Sequence, residues 1–340
     1  MDLHQKSRGL GAAVIFFALA LRLISSSAPA AITSFLSDPK VLSAILFMET
    51  GRVVTPQIPV QPDPTTPSVP PDTTPPETTP ATEPEEEMAQ AVFSPGDASL
   101  VDINSVCGYD TDLATWLQQP LQWDLTTDEP TVLILHTHGS ESYKKTEDYK
   151  ESSDYRTLNN SYNMVSVGEV LAQTLEAGGI HVVHDKTLHD YPSFSSAYGN
   201  ARSAIKECLK KYPSIKMVLD LHRDAVSSSD GKQPSLTTKV NGQKVAQLML
   251  VVGTDANGLA HPDWPENMAL AVKLHAQLEK RYPGICRPIS FRKQRFNQDL
   301  SAGAMIIEIG AAGNNRSEAL LSAQLLGETI LTLSNGAKAG

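Results

Sequence analysis

The stretch TVLILHTHGSESY, residues 131–143, decides how the chain reads. Four apolar residues, 132–135, follow Pro130 and run straight into polar sequence. A run so short and so rich in aliphatic side chains predicts a strand buried on both faces. Its carboxyl end is chemically loaded: His136, His138 and Glu141 fall within six positions, with Thr137, Gly139 and Ser140 between them. Open α/β sheets collect their ligands at the carboxyl ends of parallel strands. Two imidazoles and a carboxylate at that place point to a metal site.

Working outward, two more apolar runs end on residues of the same kind. Residues 217–221 lead into His222-Arg223-Asp224, and Glu308 sits among Met305, Ile306, Ile307 and Ile309. A carboxylate buried without a partner is costly, so Glu308 needs a cation or a proton. Between these runs, Met164, Val167, Leu171 and Leu175 recur at helical spacing until Gly178-Gly179 stops them. Residues 180–183 predict a short strand, and Tyr198, Ala201, Ile205, Leu209 and Tyr212 form the next helical stripe. Asn241-Gly242 between runs 236–240 and 245–252 is a strong hairpin signal. Residues 265–282 predict a helix with Pro265 in its first turn. Asn315 or Ser317 can cap a last helix that runs through Leu331. Strands alternating with helices imply an α/β fold: a mostly parallel twisted sheet flanked by helices, with an extra β-hairpin.

Three strand ends that each deliver an imidazole or a carboxylate suggest one pocket. Zinc accepts both ligand types, and its catalytic sites use three protein ligands and a water. The expected set is His138, Glu141 and His222, with Glu308 as the group that takes and returns a proton during amide hydrolysis. Apolar surroundings should raise the Glu308 pKa toward the working range. The plain alternative for Glu308 is a buried salt bridge, for instance to Arg223. His136 is the rival of His138, because strand alternation does not choose between them. Arg223 and Asp224 read as support for the ligands. His184 and His189, in a loop with Asp185 and Asp190, read as a cleft wall or as a plain polar loop. A serine hydrolase built on Ser140 is disfavoured, since HTHGSES lacks the Gly-x-Ser-x-Gly turn.

The totals set the frame. The 340 residues carry a net charge of -10, which argues against a nucleic-acid partner. The three cysteines are far apart and form neither a zinc knuckle nor a disulfide framework. Residues 1–50 read as a membrane anchor or signal segment: Lys6 and Arg8 precede an apolar run over residues 10–24, interrupted by Arg22. An uncleaved anchor is favoured over a cleaved signal peptide, with the bulk of the protein outside the cytoplasm. Residues 51–90 are rich in proline, threonine and acids and predict an extended tether. Residues 91–340 would then be the catalytic domain, with 91–124 a small addition at its amino end.

The segments HTHGSESY, YNMVSVGEVLAQTLEAGGI, HDKTLHDYPSFSSAY, VLDLHRDA and MIIEIGAAGNN, in this order, resemble the stage II sporulation protein P family. That family is related to zinc-dependent N-acetylmuramoyl-L-alanine amidases. The resemblance implies an amidase-like fold, bound Zn2+, and cleavage of peptidoglycan between muramic acid and its stem peptide. It also implies a possible endopeptidase action and work during engulfment beside the sporulation D and M partner proteins. Thr137-His138-Gly139-Ser140 is the best match to the first histidine motif of those related amidases, His222 to their later histidine and Glu308 to their late glutamate. One departure stands out. The related amidases take a glutamate ligand from the start of the helix after the first strand, and here that position falls near Asn160. Glu141 is the substitute. An inert module that only grips the wall or a partner is the rival function, and the intact Glu308 speaks against it.

Overall fold

The computed structural model describes residues 93–336, apart from 122, 147–148, 150–153 and 227–231. All of these belong to one compact unit, Ala81–Gly340. The expected anchor, residues 1–50, and the expected tether, residues 51–90, lie outside the described residues. Among the described residues, no helix is long and apolar enough to cross a membrane.

Among the described residues are nine strands and five α-helices: β1 (Ile103–Ser105), α1 (Leu113–Gln118), β2 (Val132–Leu135), α2 (Met164–Ala177), β3 (Val182–His184), α3 (Ala197–Lys211), β4 (Met217–Asp224), β5 (Thr237–Val240), β6 (Gln243–Ala246), β7 (Leu248–Val252), α4 (Trp264–Arg281), β8 (Ile289–Phe291), β9 (Ala304–Ala311) and α5 (Arg316–Gly336). Seven strands form the main sheet in the order β1-β8-β7-β9-β4-β2-β3, and β5 and β6 form a separate hairpin. Every pairing in the main sheet is parallel except β7 with β9. So β9, β4, β2 and β3 run together and present their carboxyl ends along one edge, while β7, β8 and β1 run the other way. The fold is α/β with a mostly parallel sheet, as the sequence predicts.

The β2 residues are all buried, and their alternation sorts them into two cores. Val132 and Ile134 join the larger cluster, with Leu171 and Leu175 of α2, Leu274 of α4 and Leu326 of α5. Leu133 and Leu135 join the smaller one, with Ala201 and Ile205 of α3. Truncating a buried leucine such as Leu171 to alanine should cost about 2–5 kcal/mol. Asn163 caps α2, its side chain accepting from the Val165 N–H, and Gly178 ends that helix.

Two expectations need correction. The strand predicted at 180–183 lies at Val182–His184, because Ile180 is spent closing the end of α2 through its N–H to Leu175 O. The run 245–252 is two strands: β6 ends the hairpin at Ala246, and β7 crosses into the main sheet beside β9. The addition at 91–124 supplies an edge strand of the main sheet, β1, and helix α1. The Lys273 ammonium of α4 donates to Trp116 O and Leu117 O and so closes the carboxyl end of α1.

Candidate metal and acid–base site

The site is built by register. In the β4–β9 pairing, His222 lies directly beside Glu308, with an irregularity just beyond at Asp224. In the β2–β4 pairing, Leu135 lies beside Asp220, so the chain leaving β2 passes next to His222. That chain turns tightly, the Glu141 N–H donating to His138 O, and Glu141 O then accepts from the first N–H of α2, that of Met164. Short connections and parallel register therefore bring residues 138, 141, 222 and 308 to one edge of the sheet.

His138 packs its ring flat on Phe194, with centroids 4.3 Å apart, and edge-on to Tyr198 and His222 at 5.6 and 5.4 Å. Its Nδ1 is buried with no hydrogen-bond partner. Burial, helped by the nearby His222, holds its pKa down at about 4, so the ring is neutral at pH 7. A neutral imidazole with a vacant nitrogen is the form that binds metal.

His222 and Asp220 share one face of β4 two residues apart, and His222 Nε2 lies 3.0 Å from Asp220 Oδ1. Asp220 is fixed in turn by the Thr137 N–H at 2.7 Å and the Thr137 hydroxyl at 2.6 Å. Burial opposes a charged His222, but Asp220, Glu308 and Glu141 outweigh it and carry the pKa up to about 10. Burial would also raise the Asp220 pKa; His222 and the Thr137 donors hold it below the ordinary carboxylate value instead. A carboxylate behind a histidine fixes the ring, and the other nitrogen is open to a ligand once its proton leaves.

Glu141 is surrounded by donors rather than gripped by one. Arg223 N is 3.4 Å away, Arg223 Nη1 3.5 Å, Arg156 Nη2 3.6 Å and His222 Nδ1 3.7 Å. All exceed the roughly 2.7–2.9 Å of a tight charge-assisted contact. Glu308 occupies the one partly accessible position of β9. Its Oε2 is buried and has no hydrogen-bond partner. Burial, with Glu141 and Asp224 adding to it and His222 and Arg223 opposing, pushes the Glu308 carboxyl up to about 8.

The other expected residues fall as follows. Arg223 spends its side chain on Ser142 O, Tyr155 O and Glu141. The ion pair imagined between Arg223 and Glu308 is not among those of the described residues; Asp224 pairs instead with Arg287 at 2.7 Å. His136 turns away from His138, its Nε2 2.9 Å from His184 Nε2 and its Nδ1 3.3 Å from Leu221 O. His184 completes that group through Glu169 at 3.3 Å. His189 is buried against Asp185, with Nε2 3.0 Å from Oδ2. Asn160 accepts from the Asn163 side chain beside the α2 cap.

Sequence reading passed over Asp220, Tyr198, Phe194 and Arg156. A carboxylate two positions before a histidine on one strand face is a signal for Asp220. Arg156 is joined to the site only through space, with Asp190 at 3.1 Å and its guanidinium 4.4 Å over the Phe194 ring. Phe194 and Tyr198 fell within an ordinary loop and an ordinary helical stripe.

The donor set of His138, Glu141 and His222, two nitrogens and one oxygen, suits zinc. The bare Nδ1 of His138 favours the fit, and so does the looseness of the Glu141 contacts, 3.4 Å from Arg223 N and 3.5 Å or more from the rest. Among the described residues, no three such donors already stand close enough to hold an ion, so the fit is one of chemistry rather than preset geometry.

A family profile described as Stage II sporulation protein P matches residues 67–331. The protein of that name from Bacillus subtilis (strain 168) is 28% identical over 210 residues, covering 57% of this chain and 48% of the relative. The chain thus spans about half the length of that relative. Among solved structures, the CwlD amidase from Clostridioides difficile in complex with the GerS lipoprotein is 12% identical, with 61% of this chain and 96% of that one covered and a TM-score of 0.37. The N-acetylmuramoyl-L-alanine amidase AmiC2 of Nostoc punctiforme is 12% identical, with 61% and 95% covered and a TM-score of 0.34. With a profile match over well more than half of its residues, the chain belongs to the stage II sporulation protein P family.

Proposed function

We propose that this family member is a zinc-dependent peptidoglycan hydrolase, an N-acetylmuramoyl-L-alanine amidase, that acts on cell wall during sporulation. The observation that carries the reading is the meeting of His138, Glu141, His222 and Glu308 at one sheet edge, with the Glu308 carboxyl raised to about 8 beside His222. His138, Glu141 and His222 would hold the zinc, which when bound makes a water a nucleophile near neutral pH. Asp220 orients His222 and shares its charge. With its carboxyl raised to about 8, Glu308 exchanges a proton near neutrality: its ionised form takes one from the attacking water, and the acid so formed returns it to the departing amine. The Phe194 ring lies over His138 and shields it from bulk water. A bilayer anchor at the amino end, with the hydrolase outside the cytoplasm beside the sporulation D and M proteins, belongs to the same proposal, and so does endopeptidase action on crosslinks.

The test uses the purified full chain, supplied with zinc and mixed with purified cell wall. Soluble stem peptide with a new free amino terminus should appear, and a chelator should stop its release. A folded, zinc-supplied chain that grips wall but frees no peptide would leave the inert module as the better reading.

A further inference from the structure

A cavity opens between the loop that follows β2 and the start of α5. It measures about 190 Å³ and is lined by Tyr143, Lys144, Tyr149, Tyr162, Asn315 and Arg316, among others. Tyr143 ties it to the catalytic strand: its hydroxyl donates at 2.9 Å to the carbonyl of Ile309, the residue after Glu308. The walls are made rigid by stacking. Tyr149 and Tyr162 lie nearly parallel with centroids 4.6 Å apart, and the Arg316 guanidinium sits 5.3 Å over the Tyr162 ring. Lys144 is exposed, and its backbone N–H donates to Asn314 O. Neither Lys144 nor Arg316 has a carboxylate partner among the described residues. Two cations without a carboxylate partner thus stand at one cavity.

We propose that this cavity receives a free carboxylate of an acidic peptide, the stem side of the wall substrate. The proposal rests on the wall-hydrolase reading and names the part of the substrate that seats beside Glu308. The volume favours an end group over a whole repeat, since pockets for larger ligands run about 300–1,000 Å³. The chemistry favours the peptide over the glycan. In intact wall the lactyl carboxyl of muramic acid is consumed in the amide bond, so the free carboxylates lie on the stem. Arg316 offers a planar fork and Lys144 a point charge, a pair suited to a carboxylate.

The test measures binding without turnover, in the purified full chain carrying Glu308→Gln. Acetyl-alanyl-glutamate and its diamide are titrated by calorimetry at low salt. The acid should bind at least about tenfold more tightly than the diamide, and added salt should erode the difference. In Lys144→Gln/Arg316→Gln the preference should vanish, while Arg316→Lys should keep most of it. Thermal melts check that each variant is folded, and Lys144→Gln, at an exposed position, reads the effect alone. Equal affinity for acid and diamide, or a preference that survives the double substitution, overturns the proposal. Wall hydrolysis by the unsubstituted chain is read separately. If it fails while the acid preference and its loss both hold, the hydrolase reading falls and the carboxylate site stands; hydrolysis without any preference does the reverse.

Discussion

Two groups of histidines flank the end of β2, and their contrast shows what makes such a group reactive. The first, His136 with His184, faces α2. His136 is fully buried and its pKa is held at about 3 by burial and by His184, which itself lies at about 4. Each His136 nitrogen has a partner, and the neighbouring helix leaves no spare room: a Cβ on Gly168 would lie 2.6 Å from the His136 ring and 2.7 Å from that of His184. The second group, His138 with His222, Glu141 and Glu308, contains a bare imidazole nitrogen, a bare Glu308 oxygen, and a Glu141 carboxylate that Arg156 and Arg223 meet only at 3.6 and 3.5 Å. Both have imidazoles at a sheet edge. Only the second combines unmet donors, an orienting carboxylate and a proton holder near neutrality.

The sharpest way to break this contrast is to remove the proton holder. Glu308→Gln should lower stem-peptide release by about 10²–10⁴-fold, the usual share of general acid–base catalysis, with zinc still bound. Residual release within a few fold of the unsubstituted chain would move the proton to another group. Next in size is Asp220→Asn, which keeps the shape but weakens the grip on His222; zinc affinity should drop about 10–100-fold. Competition with a chromogenic chelator measures it, and an unchanged affinity would dissolve the link between Asp220 and the site.

On the other side of the contrast, Gly168→Ala should leave zinc content intact and destabilise the fold by about 1–3 kcal/mol through overpacking against His136 and His184. A denaturant midpoint shift reads this. Loss of zinc with no change in midpoint would mean that the two groups are one.

The smallest effect expected is a tilt of stability with pH in the metal-free chain. Glu308 is raised from 4.5 to about 8, so the folded chain holds an extra proton across that window and stability falls as pH climbs through it. His222 is raised from 6.5 to about 10, so its contribution is present below 6.5 and is lost as pH rises toward 10. His138 and His136 are lowered and act in the opposite sense, costing stability as pH falls below 6.5. Melting temperature should therefore decline from pH 7 to pH 9, and Glu308→Gln should flatten that decline. A profile unaltered by the substitution would deny Glu308 its raised pKa.

Much of this was legible from local pattern. The buried runs at β2, β4 and β9 announce themselves by unbroken aliphatic residues, and α2, α3 and α4 by helical spacing and their end signals. The α/β class follows from their alternation. Register was not legible: nothing in one dimension says that His222 sits beside Glu308, or that β7 enters the sheet antiparallel to β9. The edge strand β1 and its neighbour β8, three residues each, are too short to leave a periodic trace. At the site, His138, Glu141, His222 and Glu308 could be picked out because each follows or interrupts an apolar run. Arg156 and Phe194 could not, because each joins the pocket from a loop, where no periodicity ties a residue to a place.

The central claim concerns which side chains hold an ion. The direct measurement is zinc content per chain, by mass spectrometry after dialysis, for His138→Ala, Glu141→Ala and His136→Ala prepared in parallel from the full chain. Zinc should be lost in the first two and retained in the third. Retention in His138→Ala with loss in His136→Ala would contradict it and shift the centre to the α2 side of the sheet.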